Sequence, residues 1–133
     1  MATTFLCDTN ILGELTRPQP NEGVVRWAQG VRSVSLSAIT VEEITFGLTW
    51  KPNPRIRLWL EDFFQTYCEI LPVTPEIAER AGDLRGRLRS GGETRSQADM
   101  LIAATAKIHS LTLVTRNTRD FEGCDLSPLN PFE

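Results

Sequence analysis

The stretch TFLCDTN at residues 4–10 decides the fold, because a short apolar segment ends there in an acid and two polar residues. Residues 4–7 predict a buried strand, and the helix that follows stops before Pro18. Apolar segments at 34–36, 70–73 and 111–114 predict three more strands, with helical periodicity between them. Strands that alternate with helices indicate an α/β fold, with a mainly parallel sheet of four to five strands covered on both faces.

Caps and apolar spacing mark the helices of this alternation. Ser37 or Thr40 is expected to cap a helix that runs to about residue 49, and Pro75 opens another that ends at Gly91. Further helices are predicted at about 21–29 and 97–109. The clearest helix follows Pro54 and carries a stripe of Ile56, Trp59, Leu60, Phe63, Phe64 and Tyr67. The stripe indicates core packing, or else an exposed groove around Trp50, Lys51, Trp59 and Phe63.

Composition is that of an ordinary globular domain: 133 residues, 41% hydrophobic and 23% charged, predict a single domain over 1–133. No apolar run approaches a membrane span and no leader pattern is visible, so a cytoplasmic protein is expected. Three cysteines without CxxC spacing argue against disulfides and zinc. A net charge of −3 does not indicate a nucleic-acid binder, although five arginines crowd residues 80–95.

Three acids follow predicted strands or open predicted helices. Asp8 directly follows the first strand, and Asp99 opens the helix at about 97–109. Glu43 shares its helix face with Ile39 and Phe46, whereas the face of Glu42 is more polar, so Glu43 is predicted to point inward. Each has an ordinary alternative, as a helix cap, a first-turn acid or a surface glutamate. Asn117 and Asp120, after the last strand, are also explained by turn chemistry.

All of these positions nevertheless meet at one edge, since the carboxyl ends of parallel strands form the ligand-binding side of such sheets. Clustered carboxylates repel one another, and a hard divalent cation is the usual compensation. A metal ion held by acids activates water and stabilises charge on a phosphodiester. His109 is the only histidine and is not needed for this chemistry. The sequence therefore predicts an acidic metal pocket.

Segments in a fixed order resemble PIN-domain proteins, and most closely the VapC toxins of bacterial toxin–antitoxin pairs, including the FitB-like branch. The resemblance rests on FLCDTNI, SAITVEEITFG, ADMLIAATA, VTRNTRDF and LNPF, at residues 5–11, 37–47, 98–106, 114–121 and 129–132. It spans essentially the whole chain. It implies a three-layer PIN fold with metal-dependent cleavage of RNA, such as tRNA or another structured RNA. It also implies a VapB-like antitoxin partner and a homodimer.

Carried over by position, the resemblance makes Asp8, Glu43 and Asp99 the core acids. We predict that Asp8 and Asp99 ligate Mg²⁺, with Mn²⁺ as a substitute, while Glu43 binds through water or orients the attacking water. Some relatives have an aspartate where Asn117 stands. Asp120 is therefore predicted to supply the missing charge, with Asn117 assisting, and the lost charge favours one ion over two.

Polar side chains at the same edge are candidates for positioning the scissile phosphate: Thr9, Asn10, Thr115 and Asn117. Three arginines, Arg85, Arg89 and Arg95, either contact the RNA backbone or form a solvated helix face.

Other α/β classes fit less well. A phosphoacceptor receiver domain is the alternative, but it needs a lysine after the last strand, where Arg116 stands, and Asp8 lacks an adjacent acid. A HAD-type phosphotransferase needs an aspartate at the position of Asn10. The GxGxxG pattern of dinucleotide binding is absent after the first strand. A catalytically inactive PIN-like interaction module also remains open, given Asn117.

Overall fold

A computed structural model describes residues 3–133, and its centre is a four-stranded sheet. The strands are β1 (Phe5–Cys7), β2 (Val34–Ser37), β3 (Cys68–Leu71) and β4 (Thr112–Val114). Their order is β3-β2-β1-β4, and every neighbouring pair is parallel. Leu6 in β1 aligns with Ser35 on one side and Leu113 on the other. The predicted parallel sheet is confirmed, with four strands.

Six helices connect the strands: α1 (Thr9–Leu15), α2 (Glu22–Gln29), α3 (Ala38–Trp50), α4 (Pro54–Thr66), α5 (Pro75–Ser90) and α6 (Gln97–Ile108). A short 3₁₀ segment, Thr118–Phe121, follows β4. Each helix begins at a side-chain cap. Ser37 rather than Thr40 caps α3, because its Oγ accepts the N–H of Ile39 at 3.0 Å.

The core lies in two clusters, one on each face of the sheet. Successive strand side chains point to opposite faces, so Leu6 and Leu113 pack with α5 and α6, and Cys7 and Val114 pack with α1, α2 and α4. Helix α6 is buried around most of its surface, as its run of alanines between Met100 and Ala106 requires. The predicted coverage of both sheet faces is confirmed, and the architecture is a three-layer α/β sandwich.

Strand β3 lies two residues earlier than the apolar pattern at 70–73 indicates. It covers Cys68–Leu71 and pairs only with β2, so Ile70 is 41% exposed at the sheet edge. The strand ends before Pro72, which has no N–H to donate to a ladder. The apolar Val73 therefore lies in the connection to α5 and was wrongly assigned to the strand.

The aromatic stripe of α4 is partly core and partly surface. Leu60 is buried, whereas Trp59 is 37% and Tyr67 48% exposed, and the Trp59 ring stacks on Phe63 with centroids 5.1 Å apart. On α3, Trp50 is exposed with the Lys51 amine over its ring. The core-packing prediction therefore holds in part, whereas Trp50 and Trp59 line two separate surface depressions rather than the single predicted groove.

The three cysteines lie in or beside the core. Cys7 and Cys124 are buried, Cys68 is half-buried, and all three are free thiols. Burial raises the pKa of Cys68 to about 11, which keeps this thiol protonated and unreactive. Within residues 3–133, no helix has both the length and the apolar character that crossing a bilayer requires.

Candidate metal centre

Asp8 stands at the carboxyl end of β1, where the strand turns into α1. It is the N-cap of α1, and its Oδ1 accepts the N–H of Thr9 at 2.8 Å, so the ordinary capping interpretation is correct as geometry. Its own N–H donates to the Val114 carbonyl at 2.9 Å, which ties it to the end of β4. Only 6% of the residue is exposed. Asp8 is thus a buried acid held at the central edge of the sheet.

Thr115 and Asn10 hold the second carboxylate oxygen of Asp8. The Thr115 hydroxyl donates to Oδ2 at 2.8 Å, and the Asn10 amide donates to Oδ2 at 3.3 Å and to the Thr115 hydroxyl at 3.2 Å. The Asn10 carbonyl oxygen accepts the N–H of Arg116 at 3.1 Å. Two of the four side chains predicted to position the scissile phosphate thus hydrogen-bond to the Asp8 carboxylate, and their part in positioning substrate stays a prediction.

Glu43 is brought to Asp8 by α3, which packs against α1. Its Oε1 accepts from the Thr9 hydroxyl at 2.7 Å, and the same hydroxyl lies 3.3 Å from Oγ1 of the buried Thr40. Glu43 is half-buried and Glu42 exposed, as the helical phase predicts. The same phase argument fails for Phe46, which is 63% exposed, because the covered stripe of α3 runs through Thr40, Ile44 and Leu48, on the other side of Glu43.

Asp99 lies in the first turn of α6, half-buried, on the other side of the edge. The Ser96 Oγ caps this helix by accepting the Asp99 N–H at 3.1 Å. This N-terminal position complements the helix dipole, as the ordinary interpretation states.

Asp120 and Asn117 lie in and before the 3₁₀ segment, and both are exposed. The Asn117 N–H donates to the Thr115 hydroxyl at 3.0 Å. The Asp120 charge is near enough to Asp99 to raise the pKa of that carboxyl. This electrostatic contact supports Asp120 as the fourth acid.

The electrostatics of the acids show mutual repulsion. Burial raises the pKa of Asp8 above its usual range and the Glu43 charge adds to this, while hydrogen bonds from Thr115, Thr9 and Asn10 oppose it. Burial also raises the pKa of Asp99, followed by the charges of Asp8, Asp120 and Glu43. Among residues 3–133, none of the four acids pairs with a basic side chain.

The donor set suits a hard cation, since it offers carboxylate, hydroxyl and amide oxygens and carries uncompensated negative charge. In the described part of the chain, no three Asp, Glu, His or Cys side chains converge closely enough to form a metal cage. Mg²⁺ keeps several waters and is bound through one or two carboxylates, so it does not require such a cage. The residues present therefore fit a partly hydrated Mg²⁺.

Metal-free protein should lose stability as pH rises. Between the ordinary aspartate pKa and the raised pKa values of Asp8 and Asp99, the native state binds more protons than the unfolded chain. The unfolding free energy therefore falls across that window and levels off above it. Thermal melts of chelator-treated protein from pH 4 to 8 measure this, and Asp8→Asn should flatten the slope. A slope unchanged in Asp8→Asn and Asp99→Asn would contradict the prediction.

Sequence reasoning missed three contributors to the site. Thr40 and Ser96 support Glu43 and Asp99, and Arg95 reaches the backbone of the 3₁₀ segment. Hydroxyls near helix starts predict caps, a signal that Thr40 and Ser96 both give, but this signal does not predict their contacts at the site. The contacts of Thr40 and Arg95 bridge elements distant in sequence, so no local pattern indicates them.

Comparison with known proteins identifies the family. The family model for the PIN domain matches residues 5–124. Toxin FitB of Neisseria gonorrhoeae is 37% identical, covering 96% of this chain and 98% of its own. The crystal structure of FitAcB from the same organism has a TM-score of 0.86 at 36% identity, covering 98% and 99% of the two chains.

Two further proteins extend the comparison. The VapC ribonuclease Y4jK of Sinorhizobium fredii is 34% identical over 97% of this chain and 98% of its own. A toxin–antitoxin complex from Klebsiella pneumoniae contains a chain with a TM-score of 0.74 at 30% identity, covering 98% of this chain and 99% of that one. With its parallel sheet and edge acids in the order predicted from the motifs, the chain belongs to the PIN-domain family, in the VapC-type group that includes FitB.

Proposed function

We propose that this protein is a Mg²⁺-dependent endoribonuclease and the toxin of a type II toxin–antitoxin pair. The observation that carries the proposal is the buried Asp8 beside Glu43 and Asp99, three acids without a basic partner in the described chain. Similar proteins named ribonuclease and toxin support it. PIN-family membership, together with Arg116 at the position of the receiver lysine, removes support from the phosphoacceptor alternative.

Asp8 and Asp99 are the residues that would hold the ion, because Asp8 is buried, Asp99 is half-buried, and the Asp8 charge is close enough to raise the pKa of Asp99. When bound, a divalent cation activates water and stabilises the charge that develops on a phosphodiester. The protein holds the Asp8 carboxylate in one orientation for this role. Its Oδ1 is held by a backbone N–H and its Oδ2 by Thr115 and Asn10.

Glu43 has a different part because the Thr9 hydroxyl already donates to Oε1. The hydroxyl holds one carboxylate oxygen and leaves Oε2 to accept a proton or a hydrogen bond from water. Glu43 therefore orients the attacking water in our proposal. Asp120 is the fourth acid and adds negative charge to the pocket. Asn117 contributes its neutral amide beside it.

Contacts with the RNA backbone and with partner proteins are proposed on surfaces outside the acidic pocket. Arg85 and Arg89 are on exposed turns of α5, where they can contact an RNA backbone. An apolar pocket between α1, α2 and α4 is lined by Trp27, Trp59 and Tyr67 among others. We propose that an antitoxin and a second copy of the chain bind at this pocket and at the exposed Trp50 surface.

The proposed function is tested by incubating the purified protein with total RNA and with tRNA, in Mg²⁺, in Mn²⁺ and in EDTA. Endonucleolytic fragments that appear with either metal and disappear in EDTA are expected. Cleavage that persists in EDTA would contradict the metal-dependent reaction. A protein that binds no divalent ion and cleaves neither RNA would instead be the inactive interaction module that Asn117 leaves open.

A further inference from the structure

Arg95 differs from the other arginines of its region in being nearly buried. Its side chain is 11% exposed, although the residues on both sides of it are exposed. Its Nη1 donates to two backbone carbonyls, that of Asp120 at 2.9 Å and that of Glu122 at 2.8 Å. Among the described residues Arg95 pairs with one acid, Glu93, which is 64% exposed and whose Oε2 lies 3.9 Å from Nη2. The guanidinium thus serves backbone carbonyls rather than a carboxylate or solvent.

These contacts join the two chain segments that carry two of the acids. Arg95 immediately precedes Ser96, the cap of α6, and Asp99 lies in the first turn of that helix. The carbonyls it holds are on Asp120 itself and just beyond the end of the 3₁₀ segment. One side chain therefore links the start of α6 to the segment that carries Asp120, across 25 residues of sequence.

Asp120 is otherwise held by its backbone N–H, which donates to the Asn117 carbonyl at 3.0 Å within the same turn. Its side chain is exposed, and the 3₁₀ segment is four residues long without a side-chain cap at Asn117. Phe121 is buried and anchors the segment in the core, but this packing supplies no hydrogen-bond donor to the Asp120 carbonyl. Charge-assisted bonds from a planar guanidinium are short and directional, so they restrict rotation of this backbone more than contact with water does.

We propose that Arg95 is a positioning residue of the metal site, which fixes where Asp120 stands relative to Asp99 by holding the carbonyls of Asp120 and Glu122. This inference rests on the proposed function, because it assigns Asp120 to the metal pocket. Arg95 touches neither substrate nor ion. With Nη1 engaged and its side chain only 11% exposed, it offers RNA phosphates far less surface than the exposed Arg85 and Arg89.

The test is a double-mutant cycle read by calorimetric titration of the full chain with Mn²⁺, without RNA. Arg95→Met keeps the length of the apolar stem and removes the donors. It should weaken Mn²⁺ binding about tenfold, as is typical when outer-shell support of a metal site is lost. In an Asp120→Asn background the same change should have no further effect, because the acid it positions is gone. Arg95→Lys should give an intermediate affinity.

Arg87→Met is the matched control, since Arg87 is an exposed arginine of α5 whose side chain pairs with Asp83 of the same helix. Its Mn²⁺ affinity should equal that of the wild type. The inference is overturned if Arg95→Met leaves the affinity unchanged, or weakens it equally with and without Asp120. If Arg95→Met does not fold by circular dichroism, Arg95→Lys decides within the same cycle by the same criteria.

Failure of the proposed function would look different. Wild-type protein that binds no Mn²⁺, or that binds it equally well as Asp8→Asn, would refute the metal site and the inference with it. Binding that depends on Asp8 but ignores Arg95 would refute the inference alone.

Discussion

Asp8→Asn should reduce the rate of RNA cleavage in Mg²⁺ by about a thousandfold. Asp8 is the most buried acid of the site, and it is one of the two proposed ligands. A metal ion contributes several kcal/mol of charge stabilisation to such a reaction, and each ~1.4 kcal/mol is tenfold in rate. Single-turnover cleavage of labelled tRNA or total RNA under saturating Mg²⁺ measures the change.

The substitution is nearly isosteric, so the fold should survive it. An asparagine carbonyl can still accept the Thr9 N–H that starts α1. Since the native acid is strained by burial and by Glu43, the metal-free variant should be more stable than the wild type at neutral pH. Glu42→Gln is the control, because this exposed residue neighbours Glu43 and points away from the site. An Asp8→Asn variant that retains a tenth or more of the activity would exclude Asp8 as a ligand.

Phe121→Ala should destabilise the protein by about 3–5 kcal/mol, the usual cost of removing a fully buried phenylalanine. Phe121 is 1% exposed, and it packs in the cluster that Leu113, Met100 and Ile77 form between the sheet, α6 and α5. Typical domains have only about 5–15 kcal/mol of stability, so the loss is a large share of the total. Urea unfolding followed by circular dichroism measures it.

Phe46→Ala is the control for side-chain size. Phe46 is 63% exposed, so its removal should change the unfolding free energy by no more than about 0.5 kcal/mol. Equal losses in the two variants would mean that the 3₁₀ segment is not anchored in the core as described. The comparison also reports on the site, since Phe121 immediately follows Asp120.

The sequence pattern predicts that Glu43, and not Glu42, points inward. The outcome shows where helical periodicity succeeds as a predictor and where it fails. Helical phase places side chains at three- and four-residue spacing on one face, and this spacing separated the two glutamates correctly. The same reasoning placed Phe46 inward and was wrong. Phase says which residues share a face, but only the neighbouring elements decide which side of that face is covered, and here they cover Ile44 and Leu48 and leave Phe46 exposed.

The fourth corner of the pocket could not be chosen from sequence for a similar reason. Asn117 and Asp120 are both polar residues near a turn, and spacing alone fits either. The structure brings the Asp120 charge near Asp99 and engages the Asn117 N–H with Thr115. This preference depends on the path of a short 3₁₀ segment that Arg95 and Phe121 hold, and both contacts are long-range. The role of Asp120 in catalysis stays a prediction.

Sequence by itself determined the alternation of strands and helices, the parallel sheet, and the sheet edge beside which Asp8, Glu43 and Asp99 lie. These features follow from periodicity and from the rule that parallel strands end on one side, both of which are local or topological. Tertiary structure alone decided that Thr9 holds Glu43, that Thr115 and Asn10 hold Asp8, and that Arg95 clasps the segment of Asp120. Such bonds join residues that are distant along the chain, and only packing brings their atoms within hydrogen-bond distance.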